Sequence, residues 1–384
     1  MKFARTWDIF CTVVDYYGDI GVCWRLARQL ASEHGLRVRL WVDDLASFRR
    51  ICPAIVAGCE TQVCGGVEIR WWHEPFPEVV PAQVVVEAFA CDPPASYVAA
   101  MAAAQVKPAW INLEFLSAED WVRGCHGLPS PHPSLPLTKY FFFPGFVAGT
   151  GGLLLEAGLA ERREHFQRSA EELGSFWQSL GLPVARPGDL QVSMLCYPQN
   201  ALAGLLRAWA GGEVAVRCLV PEGVAAPALS QFFDTTSLSA SSVMREDNVE
   251  VAIFPFLDQD AYDRLLWACD LNFVRGEDSF VRGQWAARPS VWQIYPQKEQ
   301  AHWPKLMAFL ELRGCSLPSS SRNAVSRFWQ AWNKADDTAV EQAWPEFYAH
   351  RSVLEAEAPE WAGNQVGHGN LANSLAQFVE NLLK

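Results

Sequence analysis

Two runs of polar residues carry types and spacings that could do chemistry. In the first, Asp15-Tyr16-Tyr17-Gly18-Asp19, two acids flank a glycine. The run lies between a β-rich stretch, Trp7 to Val14, and a helical pattern from Ile20 to Glu33. Open α/β sheets place ligands where a parallel strand hands over to a helix. Two carboxylates there could share the work of general base and orienting partner. Asp19 fits a helix N-cap equally well. The loop has neither the G-x-G-x-x-G of a dinucleotide site nor the G-K-[ST] of a P-loop, so neither NAD nor ATP is signalled.

The second run is Arg275-Gly276-Glu277-Asp278-Ser279-Phe280, after a strand expected at Leu271–Val274 and before a helix expected over Val281–Ala287. Gly276 permits a tight turn, the helix start offers unpaired N–H groups to an anion, and Arg275 adds a charge-assisted bond to a phosphate. The two acids repel a diphosphate and make sense if they face sugar hydroxyls or a cation. The alternative is a capped helix, with Asp278 or Ser279 as the cap. Aromatics and amides recur at other strand ends: Tyr197 and Gln199 after a strand ending at Cys196, then Phe254, Phe256, Gln259 and Tyr262, then Tyr295. Aromatic faces stack a planar base and amides read its edge.

These residues need a scaffold that brings strand ends together, and the periodicity supplies one. Short apolar runs alternate with helical patterns: strands at Val38–Val42, Val84–Phe89, Trp110–Leu113 and Tyr140–Phe143, with Gly35 closing the first helix. The pattern restarts with strands at Leu190–Cys196, Val214–Val220, Val249–Ile253, Leu271–Val274 and Ser290–Ile294 and a helix at Ala201–Ala210. Such alternation means parallel sheets covered on both faces. The Pro/Gly-rich stretch Gly181–Gly188 reads as a linker, which predicts domains over 1–184 and 185–360. Leu371, Leu375, Phe378 and Leu382 form one helical stripe. That helix packs on its own domain or crosses back, so that 361–384 joins the first.

Composition narrows the class. With 384 residues, 50% hydrophobic and 19% charged, the chain is globular and long enough for two or three domains. The net charge of −12 argues against non-specific nucleic-acid binding. No apolar run is long enough to span a membrane, and MKFARTWDIF lacks the apolar core of a secretory signal. The 11 cysteines contain no C-x-x-C pair and read as buried thiols of a reducing cytoplasm. Cys52, Cys59 and Cys64 are mis-spaced for a zinc knuckle. The eight histidines show no ligand spacing; only His302, after Tyr295-Pro296-Gln297, neighbours a suspected site. Gly149-Thr150-Gly151-Gly152, lacking a lysine partner, reads as a turn that admits a helix.

The runs Asp15-Tyr-Tyr-Gly-Asp19-Ile-Gly-Val-Cys-Trp-Arg-Leu-Ala-Arg, Tyr140-Phe-Phe-Phe-Pro-Gly-Phe and Arg275-Gly-Glu-Asp-Ser-Phe-Val-Arg with Trp285-Ala resemble the elongation factor P arginine rhamnosyltransferases (EarP), and the resemblance spans nearly the whole chain. It implies a GT-B fold, two Rossmann-like domains facing a central cleft. It also implies inverting transfer of L-rhamnose from dTDP-β-L-rhamnose to an arginine guanidinium of elongation factor P, with no cofactor and no metal. The first domain would then carry the catalytic base and the acceptor, and the second the nucleotide sugar. On this resemblance Asp15, Asp19 and Glu277 are catalytic. Tyr197, Gln259, Arg275, Asp278, Ser279 and Tyr295 hold the donor, with Phe256 and Tyr262 beside its base. Tyr16 stands where the family often has Asn. Glu114, at a strand end of the first domain, and the Tyr140–Phe146 run are candidates for the acceptor. A GT-B glycosyltransferase acting on a glycan or small molecule is the alternative reading, and a non-catalytic binding module is a third.

Overall fold

The computed structural model of the chain describes residues 5–184, 186, 188–199, 201–236 and 238–384. Its contacts divide it into two compact units, one running to Ala157 and including Asn364–Lys384, the other Gly158–Gly363. None of the described helices is long and apolar enough to cross a membrane.

The first unit contains strands β1 (Thr6–Cys11), β2 (Arg37–Val42), β3 (Thr61–Cys64), β4 (Val67–Trp71), β5 (Val84–Ala88), β6 (Ala109–Leu113), β7 (Pro129–Pro131) and β8 (Thr138–Phe142). Helices α1 (Gly18–His34), α2 (Leu45–Ile51), α3 (Ala95–Ala103) and α4 (Val122–Cys125) connect them. The strands form one sheet in the order β3-β4-β2-β1-β5-β6-β8-β7, with antiparallel hairpins at its two edges and parallel pairs between. Every residue of β5 and β6 is buried, as expected of parallel strands covered on both faces. Gly35 ends α1 in the left-handed region (φ 62°), its N–H reaching the Leu30 carbonyl.

Two carboxylates lie inside this sheet, Glu87 on β5, which is paired with Lys139, and Asp8 on β1. Asp8 on β1 is fully buried, and its carboxylate accepts from Arg39 Nε and Nη2, Trp41 Nε1, the Ala82 amide and the Tyr97 hydroxyl. A buried carboxylate is tolerable when its lone pairs are so engaged. Around it Phe10, Trp41, Tyr97, Met101 and Trp110 form an aromatic-rich core. Since β1 lies between β2 and β5, the chain leaves it towards one side and later returns on the other. The carboxyl ends of β1 and β5 therefore flank a topological switch point, where α/β sheets open a crevice.

The second unit begins with helices α5 (Leu159–Arg168) and α6 (Ala170–Ser179). Its sheet comprises β9 (Leu190–Met194), β10 (Val216–Pro221), β11 (Val243–Glu246), β12 (Val249–Phe254), β13 (Leu271–Arg275) and β14 (Ser290–Gln293), in the order β11-β12-β10-β9-β13-β14. Helices α7 (Ala201–Ala210), α8 (Ala226–Phe232), α9 (Gln259–Ala268) and α10 (Asp278–Trp285) link these strands, and α11 (His302–Gly314), α12 (Ser319–Asn333), α13 (Asp337–Ala349) and α14 (Arg351–Val366) follow. All pairs are parallel except β11/β12. Here the switch point falls between β9 and β13.

The boundary expected at 184/185 is corrected to 157/158. Helices α5 and α6 belong to the second unit: Arg163 Nη1 donates to the Trp285 carbonyl at 3.0 Å and Gln167 Nε2 to the Trp267 carbonyl at 3.1 Å. Phe166 packs edge-on to Trp267 at 5.8 Å. The stretch 181–188, whose Ala185 and Pro187 lie outside the described residues, falls within this unit, and Arg217 donates to the Pro183 carbonyl at 2.8 Å. Proline and glycine mark a break in secondary structure; they do not say on which side the preceding helices pack.

The last helix, α15 (Leu371–Leu382), belongs to the first unit. Asn370 caps it, and Gln29 on α1 donates to the Asn370 side chain at 3.3 Å and to the Leu155 carbonyl at 2.7 Å. Its buried face is Leu371, Ala372, Leu375 and Val379. Phe378, expected on the apolar stripe, is half-buried against the rings of Tyr140 and Phe142, and Leu382 is half-buried. The glycine run admits the chain leading into this helix: a Cβ on Gly152 would lie 2.2 Å from the Gly369 carbonyl oxygen.

Candidate active site

At the switch point of the first sheet, β1 stops at Cys11, three residues short of the expected end, and α1 starts at Gly18. Asp19 thus lies in the first turn of α1 and does not cap it. Its Oδ2 reaches back into the loop and accepts the amides of Val14 and Asp15, both at 2.8 Å. Asp19 is only 7% exposed. Burial pushes its carboxyl above the ordinary carboxylate range; the two amides oppose the shift, and the charge of Asp43 adds to it. Tyr16, exposed, takes a left-handed conformation (φ 41°). Gly18 gives its N–H to the Asp15 carbonyl at 2.6 Å, and a Cβ at Gly18 would stand 2.5 Å from Asp15 Oδ2. A side chain at position 18 would therefore push the Asp15 carboxylate out of this place.

Asp43, one residue beyond β2, is a residue that the sequence reading missed. Its Oδ1 accepts the Val13 amide at 2.9 Å, and burial raises its carboxyl too. The adjacent Asp44 turns the other way and caps α2 through the amides of Ala46 and Ser47. The available signal was an acid pair at the end of a predicted strand; its relation to Asp19 follows only from the parallel pairing of β1 with β2. Below this loop Cys11, Cys23 and Cys91 interact; a hydrogen bond with Cys23, then burial, push the Cys11 thiol up, and burial pushes up that of Cys91, keeping both protonated. Cys52 and Cys64 sulfurs lie 3.6 Å apart, while Cys59 bonds the Thr61 carbonyl.

Glu114 follows β6 at the same edge of the first sheet. It is half-buried, accepts from Asn112 Nδ2 at 2.6 Å, and precedes Phe115, which stacks on Phe89 at 4.8 Å. Of the Tyr140–Phe146 run, Phe142, Phe143 and Phe146 are buried core residues, and Tyr140 is half-buried against Phe378.

In the second unit the expected donor residues gather round the β9/β13 switch point. The Arg275 guanidinium lies over the Tyr197 ring, 4.7 Å from its centroid, and Nη1 donates to the Cys196 carbonyl at 3.0 Å. Tyr197 meets Tyr295 edge-on at 5.6 Å, and its amide donates to Gln293 Oε1 at 2.7 Å. Gln293, on β14, also escaped the sequence reading, for a buried strand residue has no spacing to betray it. Cys196, Tyr197 and Gln199 line a cavity of about 600 Å³ together with Arg207 and Gln231.

The first turn of α10 supplies the rest. The helix starts at Asp278, three residues earlier than expected. Neither Asp278 nor Ser279 caps it: Glu277 holds the cap position without a side-chain cap bond, and Ser279 Oγ accepts the Arg275 amide at 3.0 Å and donates to the Arg275 carbonyl. Asp278 Oδ2 accepts from Gln259 Nε2 at 3.1 Å, joining α10 to the start of α9. Tyr262, one turn on, keeps a buried hydroxyl pushed up by desolvation. Phe256 is half-buried in the loop between β12 and α9, whereas Phe254 is wholly buried and belongs to the core. His302 is buried, accepts the Gln297 amide at 3.1 Å, and is held below its ordinary pKa by desolvation.

Both units thus present polar residues at the switch point of a parallel sheet. Residues 7–380 match the family described as Elongation-Factor P (EF-P) rhamnosyltransferase EarP. A protein-arginine rhamnosyltransferase of Pseudomonas putida is 49% identical over 378 residues, 98% of this chain and 99% of that protein. A solved structure described as the structural basis for EarP-mediated arginine glycosylation of translation elongation factor EF-P superimposes with a TM-score of 0.70. It is 37% identical and covers 98% of this chain and 99% of its own. A glycosyltransferase of Rickettsia africae, 8% identical with a TM-score of 0.54 over 100% of this chain and 99% of its own, shares the fold alone. The fold is GT-B, and the chain belongs to the EarP family of EF-P rhamnosyltransferases.

Proposed function

We propose that this chain is an inverting protein-arginine rhamnosyltransferase that moves L-rhamnose from dTDP-β-L-rhamnose to an arginine guanidinium of elongation factor P, in the cytoplasm. The observation that carries the reading is Asp19: a buried acid with a raised pKa, held at the switch point of the first sheet, in a chain of this family.

Arginine has a pKa above about 12, so no carboxylate deprotonates it in the ground state. A carboxylate can hold the guanidinium, concentrate electron density on one nitrogen, and take the proton as the C–N bond forms. Asp19 is the base in this scheme, since its raised pKa makes it a better proton acceptor than an exposed aspartate. Asp15, fixed by the tight turn at Gly18, orients the acceptor or a sugar hydroxyl. The attacking nitrogen approaches the anomeric carbon from the face opposite the diphosphate, which inverts that centre.

The dTDP leaving group takes up negative charge as its bond to the sugar breaks. Arg275, the N–H groups at the start of α10 and the Tyr295 hydroxyl are the groups of this chain suited to stabilise it. Glu277 and Asp278 would repel the diphosphate and so serve the sugar, Asp278 being held by Gln259. Phe256 and Tyr262 offer ring faces for the base. This division of labour asks for no metal and no cofactor.

Mass spectrometry of elongation factor P after incubation with the chain and dTDP-β-L-rhamnose tests the proposal. The expected result is the mass of one deoxyhexose on one arginine. An unmodified factor, with the donor transferred instead to a glycan or a small molecule, would refute the acceptor assignment.

A further inference from the structure

We propose that Asp43 is a positioning residue of this reaction, holding the loop between β1 and α1 in the shape that presents Asp15 and Asp19. The inference rests on the reading of Asp19 as base. Three amides of one loop are tied by two carboxylates: Val13 by Asp43, and Val14 and Asp15 by Asp19. The loop between Cys11 and Gly18 is thereby clamped from both sides, from β2 by Asp43 and from α1 by Asp19.

Asp43 is itself fixed. Its backbone carbonyl accepts the Trp71 indole N–H at 3.2 Å, Val42 before it accepts the Trp72 amide at 2.8 Å, and Asp44 after it is committed to capping α2. A neighbouring negative charge disfavours ionisation, so Asp43 contributes to the raised pKa of Asp19 as well as to the geometry of its loop. The other titratable groups that act on the pair are Asp44 at the start of α2, beside Asp43, and the thiol of Cys11 on β1, beside Asp19; the thiols of Cys23 on α1 and Cys91 after β5 adjoin Cys11 in turn, and Asp15 lies on the clamped loop itself.

The two contributions separate by substitution. Asp43→Ala removes both the acceptor for Val13 and the charge. It should lower kcat by about tenfold to a hundredfold, the scale of a misplaced catalytic group, with the KM for donor little changed. Asp43→Asn keeps an acceptor oxygen and loses only the charge. It should recover most of kcat and move the acid limb of the kcat/KM–pH profile to lower pH, because Asp19 then ionises more readily. That limb is a readout which a merely structural role would not move, and Asp43→Asn carries the test even where Asp43→Ala fails to fold.

An acid limb unmoved in Asp43→Asn would overturn the proposal, as would wild-type kcat in Asp43→Ala. Asp19→Asn, assayed alongside, tells the two readings apart. If it is inactive while both Asp43 variants behave as wild type, only the positioning role falls; if it is active, the base assignment falls.

Discussion

Asp19 sits where a carboxylate is costly to ionise, and that cost has a sign that can be measured. Burial raises its pKa in the folded chain above the unfolded value. The folded state then binds the proton more tightly, so the stabilisation from this group is complete at acid pH and lost as pH rises through the folded pKa. At pH 8 the ionised group destabilises the fold. Asp19→Asn, which keeps an oxygen for the amides of Val14 and Asp15, should therefore raise Tm at pH 8, and the gain should shrink as the pH is lowered towards 4. Calorimetric scans across that range check it; a variant with unchanged or lower Tm at pH 8 would contradict the burial argument. The same exchange of stability for activity is common where a site keeps a strained or poorly solvated group. At this scale Asp15 and Asp19 were legible because they flank a glycine at a strand end. Asp43 was not, since its nearness to them is created by strand pairing and not by sequence spacing.

Among the elements, α9 and α10 matter most, for their first turns carry Gln259, Asp278 and Ser279. A buried ion pair locks them together: Arg282 Nε and Nη2 meet Asp263 Oδ1 and Oδ2 at 2.9 and 2.6 Å, both residues under 10% exposed. Removing one partner leaves the other charge buried and unpaired. Asp263→Ala should therefore cost about 3–5 kcal/mol, read from urea unfolding followed by tryptophan fluorescence. A loss below about 1 kcal/mol, the scale of an exposed pair, would contradict the locking role. Strands were the most legible elements, because uninterrupted apolar runs such as Val84–Val86 leave little choice. The start of α10 was misread since Glu277, Asp278 and Ser279 look like loop residues, while the glycine ahead of them (Gly276, φ 60°) and the N–H groups of a first turn suit polar side chains. The break after Ala157 was illegible for a different reason. Helices α5 and α6 are amphipathic whichever sheet they cover, and only the contacts of Arg163, Phe166 and Gln167 decide between them.

For the whole molecule, the sequence conveyed the repeated strand–helix alternation and the two motifs, and the alternation alone was enough for two parallel sheets. The functional reading came from long motifs at the ends of those strands, so the acids and the candidate donor residues were named before their surroundings were known. The residues that support them, Gln293 behind Tyr197 and Asp43 behind the acid loop, depend on which strands become neighbours. The proposed reaction draws on both units: Asp19 of the first takes the proton of the attacking arginine nitrogen, and residues of the second hold the nucleotide of the sugar under attack. The most direct measurement pairs two readouts on Asp19→Asn, rhamnosyl transfer to elongation factor P and calorimetric binding of dTDP. The account predicts transfer reduced by at least about a hundredfold, the scale of a lost general base, with dTDP affinity unchanged. Transfer at a near-normal rate would contradict it.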